Sequence, residues 1–110
     1  TVYDKLAKAD MLVVASPVYF YGISSQLKAL IDRCHNPIRD TFKIKKVALL
    51  LVGAATLPEL FDSILVQYRL CINYFHLEDC GKILVRGVKE KGDIINTNAL
   101  EGAFYLGASI

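Results

Sequence analysis

Along the chain, short runs of apolar residues alternate with longer segments in which apolar residues recur every three or four positions. The runs are Met11–Ala15 (MLVVA), Val47–Val52 (VALLLV) and the more polar Lys82–Val88 (KILVRGV). A run that is apolar at every position is typical of a parallel strand covered on both faces by helices. The pattern therefore predicts three buried strands, and the charges of Lys82 and Arg86 indicate that the third lies at a more exposed edge.

The segments around these runs have the apolar spacing of amphipathic helices. One helix is predicted from Ser24 to Cys34, where Leu27, Leu30, Ile31 and Cys34 fall at helical spacing. Its end is indicated by Cys34-His35-Asn36-Pro37, which has the form of a helix stop. Another is predicted after Thr56-Leu57-Pro58-Glu59, which reads as a capping box with proline near the helix start. The side chains predicted on its inner face are Leu60, Phe61, Ile64, Leu65, Tyr68, Cys71 or Ile72, and Phe75.

The two ends of the chain are also predicted to be helical. Residues 1–10 have the pattern of the last turns of a helix, and a final helix is predicted at about Asn96–Ala108. Its predicted inward residues are Leu100, Ala103, Phe104 and Gly107. With right-handed crossovers, this order gives an α/β fold with a parallel sheet and helices on both faces. We interpret residues 1–110 as a single domain, because no linker or repeat interrupts them.

Composition narrows the class of protein. The 110 residues are 54% hydrophobic and 22% charged, with a formal net charge of +2, which excludes disorder and a nucleic-acid binder driven by bulk charge. No apolar run reaches the length of a membrane span, and the first residues lack the apolar core of a signal peptide. Cys34, Cys71 and Cys80 form no CxxC motif, so we expect reduced thiols, no metal site and a cytoplasmic location.

Candidate chemistry lies where the first strand ends, because open parallel sheets bind ligands beyond the carboxyl ends of their strands. Pro17 holds Ser16 extended, and Gly22 permits a turn before the next helix. Such a loop can direct backbone N–H groups at the edge of a ligand while aromatic rings flank its face. The alternative is an aromatic plug over the end of the sheet. The candidate residues are Ser16, Pro17, Val18, Tyr19, Phe20, Tyr21 and Gly22.

Three segments carry a resemblance to a known family: SPVYFYGISSQLKALIDR, KKVALLLVGAA and CGKILVRGVKEKGDI. They resemble, in the same order, parts of the NAD(P)H-dependent FMN reductase and iron–sulfur flavoprotein group, which has the flavodoxin-like fold. The resemblance covers the C-terminal portion of that fold. The family's first strand, its phosphate-binding loop rich in Ser, Thr and Gly, its first helix and its second strand have no counterpart here.

The resemblance implies a site and a chemistry. Backbone amides of residues 16–22 would contact the pyrimidine edge of FMN, and Gly53, Ala54 and Ala55 would border its isoalloxazine ring. NAD(P)H would be the co-substrate, and a quinone, free flavin or iron–sulfur centre would be the acceptor. No side chain would act as a catalytic acid or nucleophile, since the cofactor carries the chemistry. Two alternatives are a non-enzymatic flavodoxin-like remnant that folds by self-association, and a flavodoxin-type electron carrier.

The predicted strand Met11–Ala15 also bears on the oligomeric state of the protein. In the flavodoxin-like strand order, the family's first strand would pair with one side of Met11–Ala15, so that side would be an open edge here. The strand has no Lys, Pro or inward charge to prevent pairing with another chain. We therefore expect a homodimer or a larger homo-oligomer with Met11–Ala15 in the interface, and no membrane or nucleic-acid partner.

Overall fold

The computed structural model describes residues 2–35 and 42–110. In these parts of the chain, helices and strands alternate as the apolar pattern predicts. The elements are α1 (Val2–Lys8), β1 (Met11–Pro17), α2 (Ser25–Arg33), β2 (Lys46–Val52), α3 (Asp62–Phe75), β3 (Glu78–Val85), a 3₁₀ turn (Asp93–Asn96) and α4 (Ala99–Ser109). The stop predicted for α2 agrees with its end at Arg33, although Asn36 and Pro37 lie outside the described residues.

The strands form a parallel sheet in the order β1-β2-β3. In its register Pro17, Val52 and Val85 are neighbours, so the three strands end together at what we call the carboxyl edge. β3 is an outer strand, as predicted, but it begins at Glu78 rather than Lys82. A β-bulge opposite Val47 and Ala48 lets the polar start of β3 continue the pairing, which an apolar pattern does not reveal.

One face of the sheet carries the main core. α3 packs its apolar face on β2, and Phe61, Leu49 and Leu51 are fully buried. Leu12 and Val14 of β1 pack partly against the same cluster. The inner face predicted for α3 is therefore confirmed: Leu60, Phe61, Ile64 and Tyr68 are buried, and Leu65, Cys71, Ile72 and Phe75 are partly buried.

The predicted start of α3 at Thr56 is wrong. The helix begins at Asp62, and its N-cap position, Phe61, makes no side-chain cap. The segment forms a turn instead: the carbonyl of Leu57 accepts hydrogen bonds from Leu60 N at 3.2 Å and from Arg86 Nε, and the carbonyl of Pro58 accepts one from Arg86 Nη2. A partner distant in sequence thus overrides the local capping signal.

α4 covers the opposite face of the sheet, against β3. A Cβ at Gly81 would lie 2.5 Å from Leu106, and Gly102 lies close to Ile83, so small residues let the helix approach the sheet closely. The inward set predicted for α4 is only partly right. Ala103 is half-buried, but Leu100, Phe104 and Gly107 are exposed, and the inner face consists of Ala99, Gly102, Ala103 and Leu106. Close backbone approach, rather than side-chain size, selects the face.

β1 is less covered than its sequence predicts. Val13 is 52% exposed and Ala15 is also exposed, because α4 packs on β3 at the far side of the sheet. Within the described residues β1 pairs only with β2, so its other side is an open edge, as expected. In the same described parts of the chain, no helix has the length and hydropathy needed to cross a membrane.

Candidate functional site

The loops that follow the strands leave the sheet side by side at the carboxyl edge. The amide of Val18 donates to the carbonyl of Val52 at 2.8 Å, and the amide of Gly53 donates to the carbonyl of Val85 at 2.8 Å. The first residue of each loop is thereby tied to the neighbouring strand. The structure thus brings the two candidate segments, residues 16–22 and 53–55, to one edge of the sheet.

The first loop contains a tight turn at residues 19–22, which we call the aromatic turn. Tyr19 N donates to Gly22 O at 2.8 Å, and Gly22 N donates to Tyr19 O at 3.0 Å. Phe20 and Tyr21, at its centre, both have positive φ, of 47° and 65°. Positive φ at both central positions defines a type I′ turn. We expected Gly22 to permit a turn here; the turn forms, and its left-handed backbone is carried by two aromatic residues, at a cost on the order of 1 kcal/mol each.

Two serines hold the aromatic turn in place. Ser16 is buried, and its Oγ accepts a hydrogen bond from Ser24 N at 3.0 Å and donates to Pro17 O at 2.8 Å. Ser63, in the first turn of α3, donates its hydroxyl hydrogen to the carbonyl of Tyr21. Ser63 was missed in the sequence because it lies 42 residues from Tyr21 and no local spacing connects them.

The rings of the aromatic turn face solvent. Phe20 is 95% exposed, Tyr19 is 63% exposed and Tyr21 is 47% exposed, so they do not plug the end of the sheet. The first loop offers fewer donors than we expected, because Pro17 has no N–H and the amides of Val18, Tyr19 and Gly22 are already bonded. The amides of Phe20 and Tyr21 take no part in the turn's two hydrogen bonds. They are the donors that this turn can present to a ligand.

The strain in the aromatic turn leads to a stability prediction. Asn tolerates left-handed backbone better than Phe, and Phe20 buries almost nothing. Phe20→Asn should therefore raise the free energy of unfolding by about 1 kcal/mol in urea denaturation. Phe104→Asn is the matched control, because Phe104 is 71% exposed but lies in a helix. Equal effects of the two substitutions would contradict strain at position 20.

The second loop contributes mainly small residues and main chain. A Cβ at Gly53 would lie 2.7 Å from Leu60 Cδ2 and 3.5 Å from Val18, so Gly53 allows the two loops to pack closely. Ala54 is exposed, while Ala55 is half-buried and its carbonyl accepts a hydrogen bond from Gly87 N at 3.2 Å. Of the three predicted residues, Ala54 is the one open to a ligand, and Gly53 has a packing role.

The third loop contributes Arg86, which the sequence pattern placed inside a strand. Its Nε lies 2.9 Å from Leu57 O and its Nη2 lies 2.8 Å from Pro58 O. The guanidinium carbon lies 4.7 Å from the centre of the Phe61 ring, a cation–π distance. Arg86 therefore joins the second and third loops at the carboxyl edge.

A polar cluster at the start of β3 lies at the other end of the strands. Tyr68 Oη donates to Asp79 Oδ1 at 3.0 Å, and Lys82 pairs with the same carboxylate. Burial, followed by the hydrogen bond to Asp79, raises the pKa of Tyr68. Burial opposes ionisation of Asp79, but its hydrogen bonds from Lys82, Gly81 N and Tyr68 outweigh this and lower its pKa. The cluster fastens β3 to α3 and has no part in the candidate site.

A cavity of about 250 Å³ lies on the face of the sheet that α1, α2 and α3 cover. Its walls include Leu6, Val14, Ile31, Leu49 and Ile72, so it is a largely apolar space between these helices and the sheet rather than a cleft at the carboxyl edge. Among the described residues, no group of three or more His, Cys, Asp or Glu side chains could hold a metal ion. The carboxyl edge remains the candidate site.

This sheet and its loops define an α/β protein of the flavodoxin-like class. The fold is similar to that of the Trp repressor binding protein from Bacillus subtilis, with a TM-score of 0.83 and 22% identity over 96% of this chain and 72% of that one. It is also similar to general stress protein 14 from Treponema denticola, solved in complex with FMN, with a TM-score of 0.73 and 17% identity over 99% of this chain and 71% of that one.

The family itself follows from sequence comparison. The model of the NADPH-dependent FMN reductase family matches residues 1–70, and the chain belongs to that family. The chain is 43% identical over 54 residues to an iron–sulfur flavoprotein of Methanosarcina thermophila, covering 49% of this chain and 26% of that protein. It is 31% identical over 100 residues to an FMN-dependent NADH:quinone oxidoreductase of Beijerinckia indica, covering 77% of this chain and 49% of that protein. The chain thus spans half or less of the length of these curated relatives.

The residues at the carboxyl edge fit the ring end of FMN. The ring system is flat, with hydrogen-bond acceptors along its pyrimidine edge and broad apolar faces. The aromatic turn presents two amides beside exposed aromatic rings, and Ala54 leaves the adjoining loop free of bulk. These features suit an edge-on contact to the pyrimidine and a flanking contact to the ring face.

Proposed function

We propose that this chain forms the flavin-binding part of an FMN-dependent oxidoreductase. NAD(P)H would supply the electrons, and a quinone, free flavin or iron–sulfur centre would receive them. Membership of the FMN reductase family supports this proposal, as do the relative named as an FMN-dependent NADH:quinone oxidoreductase and the structural neighbour solved with FMN. The net charge of +2 argues against a flavodoxin-type carrier, which usually presents a strongly acidic face to its partners.

The residues of the carboxyl edge have binding roles in this proposal. The amides of Phe20 and Tyr21 donate to the pyrimidine edge of the ring, and the rings of the aromatic turn shield one side of it. When bound, FMN supplies the hydride-accepting chemistry. Main-chain donors at the pyrimidine edge stabilise negative charge in that region without a titrating side chain, so no acid or base of this chain is assigned a role.

The observation that carries the proposal is the backbone of the aromatic turn. Two aromatic residues are held in left-handed conformation while their rings stay exposed, so local packing does not compensate the strain. Strain of this kind persists at sites that bind ligands, where a preformed geometry has a use. The turn is thus prepared for a partner that contacts both its amides and its rings.

Flavin titration tests the aromatic turn through Gly22. Gly22→Pro removes the N–H that bonds to Tyr19 O and disfavours the backbone conformation of Tyr21, so we expect FMN affinity to fall by about tenfold or more. Gly22→Ala is the control, because it keeps the N–H and the nearest atom to the added Cβ lies 3.6 Å away. Quenching of FMN fluorescence measures both. Equal FMN affinity in wild type and Gly22→Pro would contradict the assignment.

The oxidoreductase proposal is tested separately from binding. FMN-loaded protein is mixed with NADH or NADPH without oxygen, and the flavin absorbance near 450 nm is followed. Bleaching faster than that of free FMN, followed by recovery on adding a quinone, supports an oxidoreductase. Tight FMN binding with no bleaching beyond the free-flavin rate would favour the electron carrier, and no FMN binding would favour the non-enzymatic alternative.

A further inference from the structure

The loop of residues 53–58 is held almost entirely by the chain segment that follows β3. Val88 N donates to Gly53 O at 3.1 Å, and Gly87 N donates to Ala55 O at 3.2 Å. The Arg86 side chain then binds two further carbonyls of the loop, those of Leu57 and Pro58. Val88 and Gly87 bind the loop through their main chain, whereas Arg86 binds it through its side chain. A substitution at Arg86 therefore removes its contacts and leaves the two main-chain hydrogen bonds in place.

The position of the Arg86 guanidinium is itself fixed by the core. The guanidinium lies over the ring of Phe61. Phe61 is fully buried and is the residue immediately before α3. Ser63, two residues further on, donates to the carbonyl of Tyr21 in the aromatic turn. Arg86 and the start of α3 therefore connect the second loop with the first.

The charge of Arg86 is balanced by no carboxylate within the described residues. Three carboxylates are paired with lysines instead: Asp32 with Lys28, Asp10 with Lys43, and Asp79 with Lys82. Arg86 is bonded to neutral carbonyls instead, which keeps a full positive charge at the carboxyl edge. A fixed cation near a flavin favours the form of the ring that carries more negative charge, which is the reduced form.

We propose that Arg86 is a positioning residue that holds the loop of residues 53–58 for flavin binding, and that its charge raises the reduction potential of the bound flavin. This inference rests on the proposed function of the carboxyl edge. Its two parts are separable, because Lys keeps the charge but cannot reproduce the planar two-carbonyl contact of Arg.

Three variants test the inference: Arg86→Lys, Arg86→Met and Arg69→Met. Arg69→Met is the matched control, because it removes the same charge from an exposed position on α3. Each variant is first studied without flavin by hydrogen exchange of the amides in residues 53–61. Both Arg86 variants should speed exchange there by about tenfold, whereas Arg69→Met should leave it unchanged.

Flavin affinity and reduction potential are then measured for the same proteins. Both Arg86 variants should weaken FMN binding about tenfold. Arg86→Met should also weaken binding of reduced FMN about tenfold more than that of oxidised FMN, which lowers the two-electron potential by about 30 mV. Arg86→Lys should keep the wild-type potential, because the charge remains. A purely structural role would alter stability and leave the potential unchanged.

The outcomes separate this inference from the proposed function. Unchanged hydrogen exchange in both Arg86 variants overturns the positioning role whether or not flavin binds. Wild-type protein that binds no FMN overturns the proposed function, and with it the claim about potential, while the exchange data still decide the role in the loop. If flavin bound to Arg86→Met has the same reduction potential as flavin bound to Arg69→Met, the claim that the charge of Arg86 raises the potential is overturned.

Discussion

Replacing Phe61 by Ala should lower the free energy of unfolding by about 4 kcal/mol, the range measured for large-to-small substitutions of buried aromatic residues. Phe61 has no exposed surface, and it packs among the residues that join α3 to β2. Its ring also contacts the Arg86 guanidinium, whose central carbon lies 4.7 Å from the ring centre. Since a domain of this size has a total stability of roughly 5–15 kcal/mol, the loss removes a large share of it, and a wild type near the lower end would leave a variant that is only marginally stable.

Urea denaturation followed by circular dichroism measures this effect. Phe104→Ala is the matched control, because Phe104 is 71% exposed and the same atoms are removed. We expect that control to change stability by less than about 1 kcal/mol. A loss below about 2 kcal/mol for Phe61→Ala, or equal losses for the two variants, would contradict the core described for α3 and β2.

The second large effect concerns self-association, which we propose occurs through the open edge of β1. Light scattering at micromolar concentration should report at least twice the chain mass of 12.2 kDa. The unpaired edge lies beside Val13, which is 52% exposed, and a second copy could pair with this edge while covering that side chain. Both the open edge and the exposed apolar side chain favour a contact between two copies.

Val13→Lys should convert the assembly to a monomer. A lysine at a half-exposed position keeps its charge in water in the monomer, but a contact between copies would have to bury it. Val66→Lys is the control, since Val66 is 46% exposed and lies on α3 rather than on β1 or the helix next to it in sequence. A folded wild-type monomer at micromolar concentration would refute the proposal, and so would an assembly that survives Val13→Lys unchanged.

Much of the fold could be predicted from the sequence because its signals are local. Runs that are apolar at every position identified β1 and β2, and helical spacing identified the buried face of α3. The predictions failed where a distant partner decides the outcome. Arg86, which is 28 and 29 residues away in sequence, binds the carbonyls of Pro58 and Leu57 in the turn that stands where we predicted the start of α3. Gly81 and Gly102 bring α4 close to the sheet on a face that the large residues Leu100 and Phe104 did not indicate.

The candidate site could be predicted only in outline. The residues of the first loop were predicted from their place after a parallel strand, and their role toward FMN from a resemblance to a family; the structure brings them to the carboxyl edge. Which amides remain available could not be predicted, because it depends on the bonds of Val18 to Val52 and of Tyr19 to Gly22. The left-handed backbone at Phe20 and Tyr21 was equally hidden, since aromatic residues rarely adopt it and Gly22 was the natural candidate.

The distribution of buried residues has a consequence for the order in which the protein folds. Of the twelve buried apolar residues in the described parts of the chain, nine lie between residues 46 and 85, in the unit formed by β2, α3 and β3. This unit contains one crossover between parallel strands and holds most of the buried apolar residues, while Leu12 and Val14 of β1 pack only partly against it. We expect it to form the folding nucleus, with β1 and α2 docking afterwards onto a completed surface. Phe61 should then show a high φ-value and Val14 a low one, so the strand that carries the aromatic turn is the last to join and the first to detach.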